Sequence, residues 1–348
     1  MADRTGPPGP LDCVIALDVG GTSMKGAVLD RAMLPLSSLR RPTPRTHGPA
    51  AVVEAIGDAL RELSGRAAGH GARPVAAGVV VPGIVDEAAQ VATYSANLGW
   101  RDLPLAALLR ARVELPVTLG HDVRAGAVAE SRLGAGRGAR DMLFLPIGTG
   151  ISAAALVDGR PAHPSAYAGE AGHLVVAPGA AACACGARGC LEAIASASAI
   201  AAAYTARSGR TVDGAAGVAA LVARADPVAR AVWDEAVDAL TTALTALASI
   251  LAPERVVIGG GLSEAGELLL GPLRADLARR LTFQRRPEIV RASLGAAAGC
   301  LGAGLLAWQS ADTTPDDRLR ATTTATTTTT ATTTATTTEE SVHAARAH

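Results

Sequence analysis

One device occurs three times in this chain and restricts its fold more than any other feature: an apolar run that stops at glycine. Val14-Ile15-Ala16-Leu17-Asp18 gives way to Val19-Gly20-Gly21-Thr22, Met142 to Pro146 leads to Gly148-Thr149-Gly150, and Val256-Val257-Ile258 runs into Gly259-Gly260-Gly261. Short apolar runs closed by Gly read as buried strands whose tight turns need a backbone without Cβ hindrance. Copies this far apart describe two similar α/β halves, not a short-period solenoid. The intervening segments agree. A second strand is expected over Lys25 to Asp30, and helical spacing of Val53, Ile56, Leu60 and Leu63 marks a helix over Val52 to Arg66. The apolar stretch Ala76 to Val81 closes at Pro82-Gly83, a helix is expected over Leu103 to Arg112, and Pro116 to Leu119 reads as a strand. Val123 to Leu133 reads as a helix ending at Gly134, and a longer amphipathic helix carries Trp233, Val237, Leu240, Leu244, Leu247 and Leu251 on one stripe.

Composition narrows the class. The chain has 348 residues, enough for two domains or one large lobed unit. Lys plus Arg is 32 and Asp plus Glu is 32, so no net field draws the molecule toward nucleic acid or an acidic membrane face. Aromatic residues are only 2% against 38 Gly, so the core must be built from Ala, Val, Leu and Ile. The N-terminus lacks the apolar region of a secretory signal, and the longest apolar candidate, Gly295 to Trp308, is too short and too rich in Gly and Ala to span a bilayer. Five Cys, an odd number, with three packed between Cys183 and Cys190, point to metal ligation in a reducing compartment, hence the cytoplasm. The Thr/Ala segment from Ala321 to Thr338 has nothing to bury and is expected to be disordered.

Several clusters carry chemistry. Asp18-Val-Gly20-Gly21-Thr22-Ser-Met-Lys25 delivers a carboxylate into a Gly-Gly-Thr hairpin. There, backbone N–H groups can approach a polyphosphate, the carboxylate can hold hydrated Mg²⁺ and the hydroxyl can reach phosphate oxygen; an ordinary hairpin also uses these residues. Gly148-Thr149-Gly150 offers an opposite jaw, and Gly259-Gly260-Gly261 a flat platform for a purine, which together describe a nucleotide held in a cleft. Neither a Walker A loop nor a dinucleotide fingerprint is present. His173-x9-Cys183-x-Cys185-x4-Cys190 supplies one imidazole and three thiols, a closed tetrahedral set for structural zinc with no coordination position left for chemistry. In Gly120-His121-Asp122-Val-Arg124, Asp122 is either a general base in the cleft or the cap of the next helix; the residues alone favour the cap. Glu170 and Glu192 flank the Cys loop as fixed acceptors for a polyol or as solvated acids, and Asn97 is either a polyol ligand or a turn residue.

Together these residues resemble the ROK family of sugar kinases and repressors, within the actin-like and hexokinase-like ATPase superfamily. The resemblance runs from about Val14 to about Leu306. Its most specific part is Glu170-Ala-Gly-His173 with Cys183-Ala-Cys185-Gly-Ala-Arg-Gly-Cys190-Leu-Glu192, supported by Asp18-Val-Gly-Gly-Thr22, Pro82-Gly83-Ile-Val-Asp86, Gly148-Thr149-Gly150 and Gly259-Gly260-Gly261. It implies a two-lobed α/β fold of the actin-like (ribonuclease H-like) kind, with a central cleft and a zinc-stapled loop. The expected division is a disordered lead-in at 1–12, a smaller lobe at 13–120 completed by a C-terminal helix near 295–308, a larger lobe at 121–294 with the zinc loop at 173–190, and a disordered tail at 311–348.

By the same resemblance, Asn97, His121, Asp122, Glu170, His173 and Glu192 line a hexose site with Asp122 as catalytic base. Asp18, Gly20, Gly21, Thr22, Lys25 and the two later glycine runs bind ATP and Mg²⁺. The implied reaction is transfer of the γ-phosphoryl group of ATP to the 6-hydroxyl of glucose or a close relative. The family kinases have Asn before the catalytic Asp where this chain has His121, an imidazole whose proton is expected to exchange near pH 6.5. That departure keeps an amino sugar open: N-acetylglucosamine, N-acetylmannosamine or 3-amino-3-deoxyglucose. A catalytically silent sugar sensor is a further alternative. The family's repressors carry an N-terminal DNA-binding domain, for which the residues before Leu11 leave no room. A homodimer or homotetramer is implied.

Overall fold

The structure is a computed structural model that describes residues 10–162 and 165–313. Residues 1–9 of the expected lead-in and 314–348 of the expected tail lie outside the described residues. The described ends are ordered elements: β1 already spans Leu11–Val19, and the last helix runs to Asp312.

The first half reads β1, β2 (Ser23–Leu29), β3 (Pro35–Pro42), α1 (Pro49–Gly69), β4 (Ala72–Val81), three short strands β5 (Ile84–Asp86), β6 (Val91–Ser95) and β7 (Trp100–Leu103), α2 (Leu105–Arg110), β8 (Val117–His121) and α3 (Asp122–Leu133). Its sheet is ordered β3-β2-β1-β4-β8, with β1 antiparallel to β2 and parallel to β4. Cys13 to Leu17 are fully buried because β1 is central and covered on both faces. Ile15 and Leu17 face Ile56, Leu60 and Leu63 of α1, as the helical spacing requires, while Val14 and Ala16 face the last helix. The helix expected from Leu103 starts later, since Trp100–Leu103 pairs as β7 and Pro104 precedes the first helical residue.

The second half repeats the order. β9 (Met142–Pro146), β10 (Ala154–Val157) and β11 (Arg160–Pro161) are antiparallel, and after α4 (Leu191–Ala195), α5 (Ala197–Ser208), α6 (Gly214–Ala223) and α7 (Pro227–Leu251), β12 (Arg255–Gly259) returns parallel to β9. α8 (Glu267–Arg280) leads to β13 (Glu288–Arg291), giving the order β11-β10-β9-β12-β13. α9 (Ala298–Asp312) then goes back to the first sheet. The first and second glycine loops therefore sit at equivalent places, each in the turn after the first strand of its sheet.

α3 and α9 pack against each other between the halves, close enough that a Cβ on Gly302 would lie 2.3 Å from the Ala125 carbonyl oxygen. α9 also presses on β4, where a Cβ on Gly78 would lie 1.9 Å from the Ala303 carbonyl oxygen. Glu130, fully buried at the end of α3, accepts N–H bonds from Ala135 (2.8 Å), Ser293 (3.3 Å) and Leu294 (2.8 Å), joining α3 to the approach of α9. Among the described residues no helix is long and apolar enough to cross a membrane.

Candidate active site

The first loop is built at the end of β1. Gly20 N–H donates to the Ser23 carbonyl at 3.0 Å, and buried Thr43 holds the turn from outside: its N–H donates to Thr22 O (3.0 Å) and its Oγ1 to Gly20 O (2.6 Å). Asn97, in the turn between β6 and β7, sits against Gly21, where a Cβ would lie 3.5 Å from the Asn97 Cβ. Asp18 is paired across the strands with Lys25. Its carboxylate lies at the first turn of α9: a Cβ on Gly299 would be 2.6 Å from Asp18 Oδ2, and Lys25 Nζ donates to Ala296 O at 3.3 Å. Burial pushes the Asp18 carboxyl up, and Lys25 opposes that.

His121 and Asp122 stand where β8 passes into α3. The helix cap is His121 and not Asp122: His121 Nδ1 accepts the Arg124 N–H at 3.3 Å, and Asp122 is the first helical residue. This corrects the cap reading of Asp122, whose Oδ1 instead accepts the adjacent Val123 N–H at 2.7 Å. The Asp122 side chain is 28% exposed. Burial, followed by the charge of Asp18, pushes its carboxyl up to about 7, so the two carboxylates share one site.

His121 departs from expectation too. Burial, then the charge of Arg124, pushes the imidazole down to about 3, so it is neutral throughout the physiological range and does not exchange its proton near pH 6.5. With Nδ1 accepting, the proton is on Nε2, 3.6 Å from Asp122 Oδ1. Glu87 and Arg124, to which the sequence reading gave no role, complete this corner. Glu87 Oε1 accepts the His121 N–H (2.8 Å) and Arg124 Nε–H (3.0 Å), and Arg124 Nη2 donates to Val85 O (2.9 Å). Arg124 Nη1 is buried without a partner among the described residues, and Arg124 lines a cavity of about 330 Å³ together with Glu170.

The second and third glycine runs meet. Ile147 N–H donates to Gly259 O (2.9 Å) and Leu262 N–H to Ile147 O (3.1 Å). Gly260, at φ +72, leaves no space for a Cβ, which would stand 2.3 Å from Ile147 O. The Gly148-Thr149-Gly150 loop closes on itself through Gly148 N–H to Gly150 O (2.9 Å). It is tied to the start of α5 by Ala197 N–H to Gly148 O (2.9 Å) and Ser198 Oγ to Thr149 O (2.8 Å). Glu192 Oε2 accepts the Ile151 N–H at 2.8 Å. A Cβ on Gly148 or Gly261 would meet nothing within 4 Å, so these backbones face open space.

His173, Cys183, Cys185 and Cys190 converge, their ligand atoms all within 4.8 Å of one another. His173 Nδ1 is 3.6 Å from Cys183 Sγ, and Cys185 Sγ is 3.7 Å from Cys190 Sγ. The loop between them is shaped by Cys183 N–H to Ala187 O (2.9 Å) and Gly186 N–H to Cys183 O (3.0 Å). One imidazole nitrogen and three thiols at these separations fit a four-coordinate metal. The other ring nitrogen, Nε2, lies 4.0 Å from Glu170 Oε2, so a metal-bound His173 would still present its far side to Glu170.

The model of the ROK family matches residues 14–310. The chain belongs to the ROK family. This ROK protein is 35% identical to a glucokinase of Halalkalibacterium halodurans over 318 residues, covering 85% of this chain and 94% of that one. Its fold matches the crystal structure of a ROK hexokinase from Thermus thermophilus with a TM-score of 0.76 at 34% identity, covering 86% and 98% of the two chains. It also matches a ROK family glucokinase from Streptomyces griseus, solved with glucose and AMPPNP, with a TM-score of 0.73 at 30% identity over 85% and 99%. The two-lobed α/β fold with its Cys-His loop, expected from the sequence, is the fold of this ROK protein.

Proposed function

We propose that this ROK protein transfers the γ-phosphoryl group of ATP to the 6-hydroxyl of a hexose, with glucose as the favoured acceptor and Asp122 as general base. The observation that carries the reading is the placement of Asp122 at the junction of β8 and α3 near Asp18 of the first glycine loop, where burial and the Asp18 charge raise its carboxyl to about 7. A base with a pKa near the working pH both exists ionised and takes up a proton readily. The sugar hydroxyl gives its proton to Asp122 as its oxygen attacks the γ-phosphorus in line. The N–H groups of Gly21 and Thr22 in the first turn and of Thr149 and Gly150 in the second supply donors to the phosphates, and Gly259-Gly260-Gly261 gives the adenosine a flat backbone. Asp18, whose buried carboxylate is paired across the strands with Lys25 and lies near Asp122, would hold a hydrated Mg²⁺; when bound, that ion neutralises phosphate charge. Asn97, Glu170, His173 and Glu192 read the sugar hydroxyls, while the buried His121 stands behind Asp122. His173 Nδ1 and the three cysteines, as thiolates, would hold Zn²⁺ as a staple that supplies rigidity and no reaction step.

The reading places the enzyme in the cytoplasm with no nucleic-acid or membrane partner, and the family resemblance adds a homodimer or homotetramer. A smaller lobe up to residue 120 and a larger one from 121 close over the sugar, which keeps water from the bound ATP. The test is an ADP-release assay with Mg-ATP against glucose, mannose, fructose, N-acetylglucosamine, N-acetylmannosamine and 3-amino-3-deoxyglucose. Highest kcat/KM with glucose supports the reading; highest with an amino sugar moves the substrate to that class; no turnover in zinc-replete protein replaces the kinase with a sugar sensor.

A further inference from the structure

We infer that Glu87, Gln90 and Arg124 are positioning residues for the phosphoryl transfer: they clamp the end of β8 and hold the His121 imidazole as a donor-only group beside Asp122. The inference rests on Asp122 being the general base. β8 is an edge strand, so its outward N–H groups lack strand partners. Two alternate ones, at Leu119 and His121, are taken by side chains of a single turn between β5 and β6: Gln90 Oε1 accepts from Leu119 (2.8 Å) and Glu87 Oε1 from His121 (2.8 Å). Gln90 Nε2 donates in return to Leu119 O (3.0 Å) and to Glu87 O (2.6 Å). The turn is itself preset, since Asp86 Oδ1 accepts the Ala88 and Ala89 N–H groups at 3.1 and 2.9 Å. Two side chains thus do what a sixth strand would do, at the point where the chain delivers His121 and Asp122.

Arg124 closes the clamp from the helix side. Its Nε and Nη2 span Glu87 Oε1 and Val85 O, fixing the first turn of α3 against the same segment. That turn's N–H at Arg124 occupies His121 Nδ1. A neutral imidazole has one donor and one acceptor. With the acceptor used by the helix, only Nε2–H remains, 3.6 Å from Asp122 Oδ1. Oδ1 already accepts from Val123, so Oδ2 is the oxygen assigned to take the proton. An Asn in place of His121 offers an amide that can turn either end to its surroundings; a capped imidazole cannot.

The test combines steady-state kinetics of Glu87→Ala, Glu87→Gln and the double variant with His121→Asn with ¹⁵N NMR of the imidazole, which reports the tautomer. Wild type is expected to show a single Nε2–H tautomer. Glu87→Ala is expected to mix the tautomers and lower kcat by about a hundredfold, the scale of a slight misplacement of a reacting group, with KM for glucose little changed. Glu87→Gln keeps an acceptor oxygen and is expected to restore the single tautomer and most of kcat. In the His121→Asn background, loss of Glu87 is expected to cost less, because the two act through one contact. Folded Glu87→Ala protein with wild-type kcat, or with equal loss in both backgrounds and an unchanged tautomer, overturns the clamp. If wild type turns over no hexose while Glu87→Ala still scrambles the tautomer, the kinase reading falls and the clamp stands.

Discussion

Glu192 Oε2 accepts the Ile151 N–H at 2.8 Å, which ties the second glycine loop to the helix that begins one residue after Cys190. A Cβ on Gly150 would lie 2.6 Å from the same oxygen, so loop and carboxylate are fitted to each other. Rigidity given to the Cys loop therefore passes to the backbone of the second glycine loop through Glu192, alongside the Ala197 and Ser198 bonds to Gly148 and Thr149.

Removing the metal should show this coupling. Chelation, or Cys185→Ser, is expected to lower Tm and to raise KM for ATP as well as for the sugar, with added Zn²⁺ restoring the chelated wild type. Parallel calorimetry and kinetics check it; a change in the sugar KM alone contradicts the link through Glu192.

The Asp122 carboxyl at about 7 sets the direction of the pH profile. Protonated Asp122 cannot accept the hydroxyl proton, so kcat/KM is expected to rise with pH through about 7 and then level. Asp122→Asn is expected to lose about 10²–10⁴-fold in kcat while still binding glucose, as calorimetric titration would show.

His121 and Asp122 also give opposing slopes of stability against pH. His121 has a native pKa of about 3, below its ordinary 6.5, so the unfolded chain binds more protons between those values and stability is lost as pH falls through them. Asp122 is raised from 3.8 to about 7, so the folded chain binds more protons in that window and stability is lost as pH rises. In His121→Asn only the second slope remains, and Tm measured between pH 4 and 7 is expected to fall more steeply with rising pH than in wild type.

Two packing changes test the junction between the halves. Gly78→Ala drives a methyl into the backbone of α9 and is expected to cost about 1–3 kcal/mol as overpacking. Glu130→Ala removes the acceptor of the part-buried Ala135 and Leu294 N–H groups and is expected to cost about 1–3 kcal/mol in all, and chemical denaturation is the measurement.

Strands buried on both faces were legible as unbroken apolar runs: β9 spans Met142–Pro146 as expected, and β1 and β12 differ only at their ends. α7 was legible from its stripe. β11 is two exposed residues and carries no periodic signal, while α5 is so rich in Ala that its faces hardly differ. At the site, the Cys-His set was legible because ligand chemistry is local in residue type. The roles of Glu87 and Arg124 were not, since Glu87 acts on a backbone 34 positions away and only the folded edge of β8 brings them together. The cap was misread because an imidazole accepts the N–H that Ser, Thr, Asp or Asn usually takes.

The repeated strand order has a consequence for how such a molecule can diversify. In the first half the connection from the third strand to the fourth runs from Pro42 to Ala72; in the second it runs from Pro161 to Arg255 and contains the Cys loop, Glu170, His173 and Glu192. The two hairpins that carry the first and second glycine loops lie outside both connections. The longer connection packs its helices over the second sheet and is bonded to the second glycine loop through Glu192, Ala197 and Ser198. On the proposed reading the longer connection supplies Glu170, His173 and Glu192 while Asn97 and Asp122 come from the first half, so a change of acceptor draws on both halves of the chain.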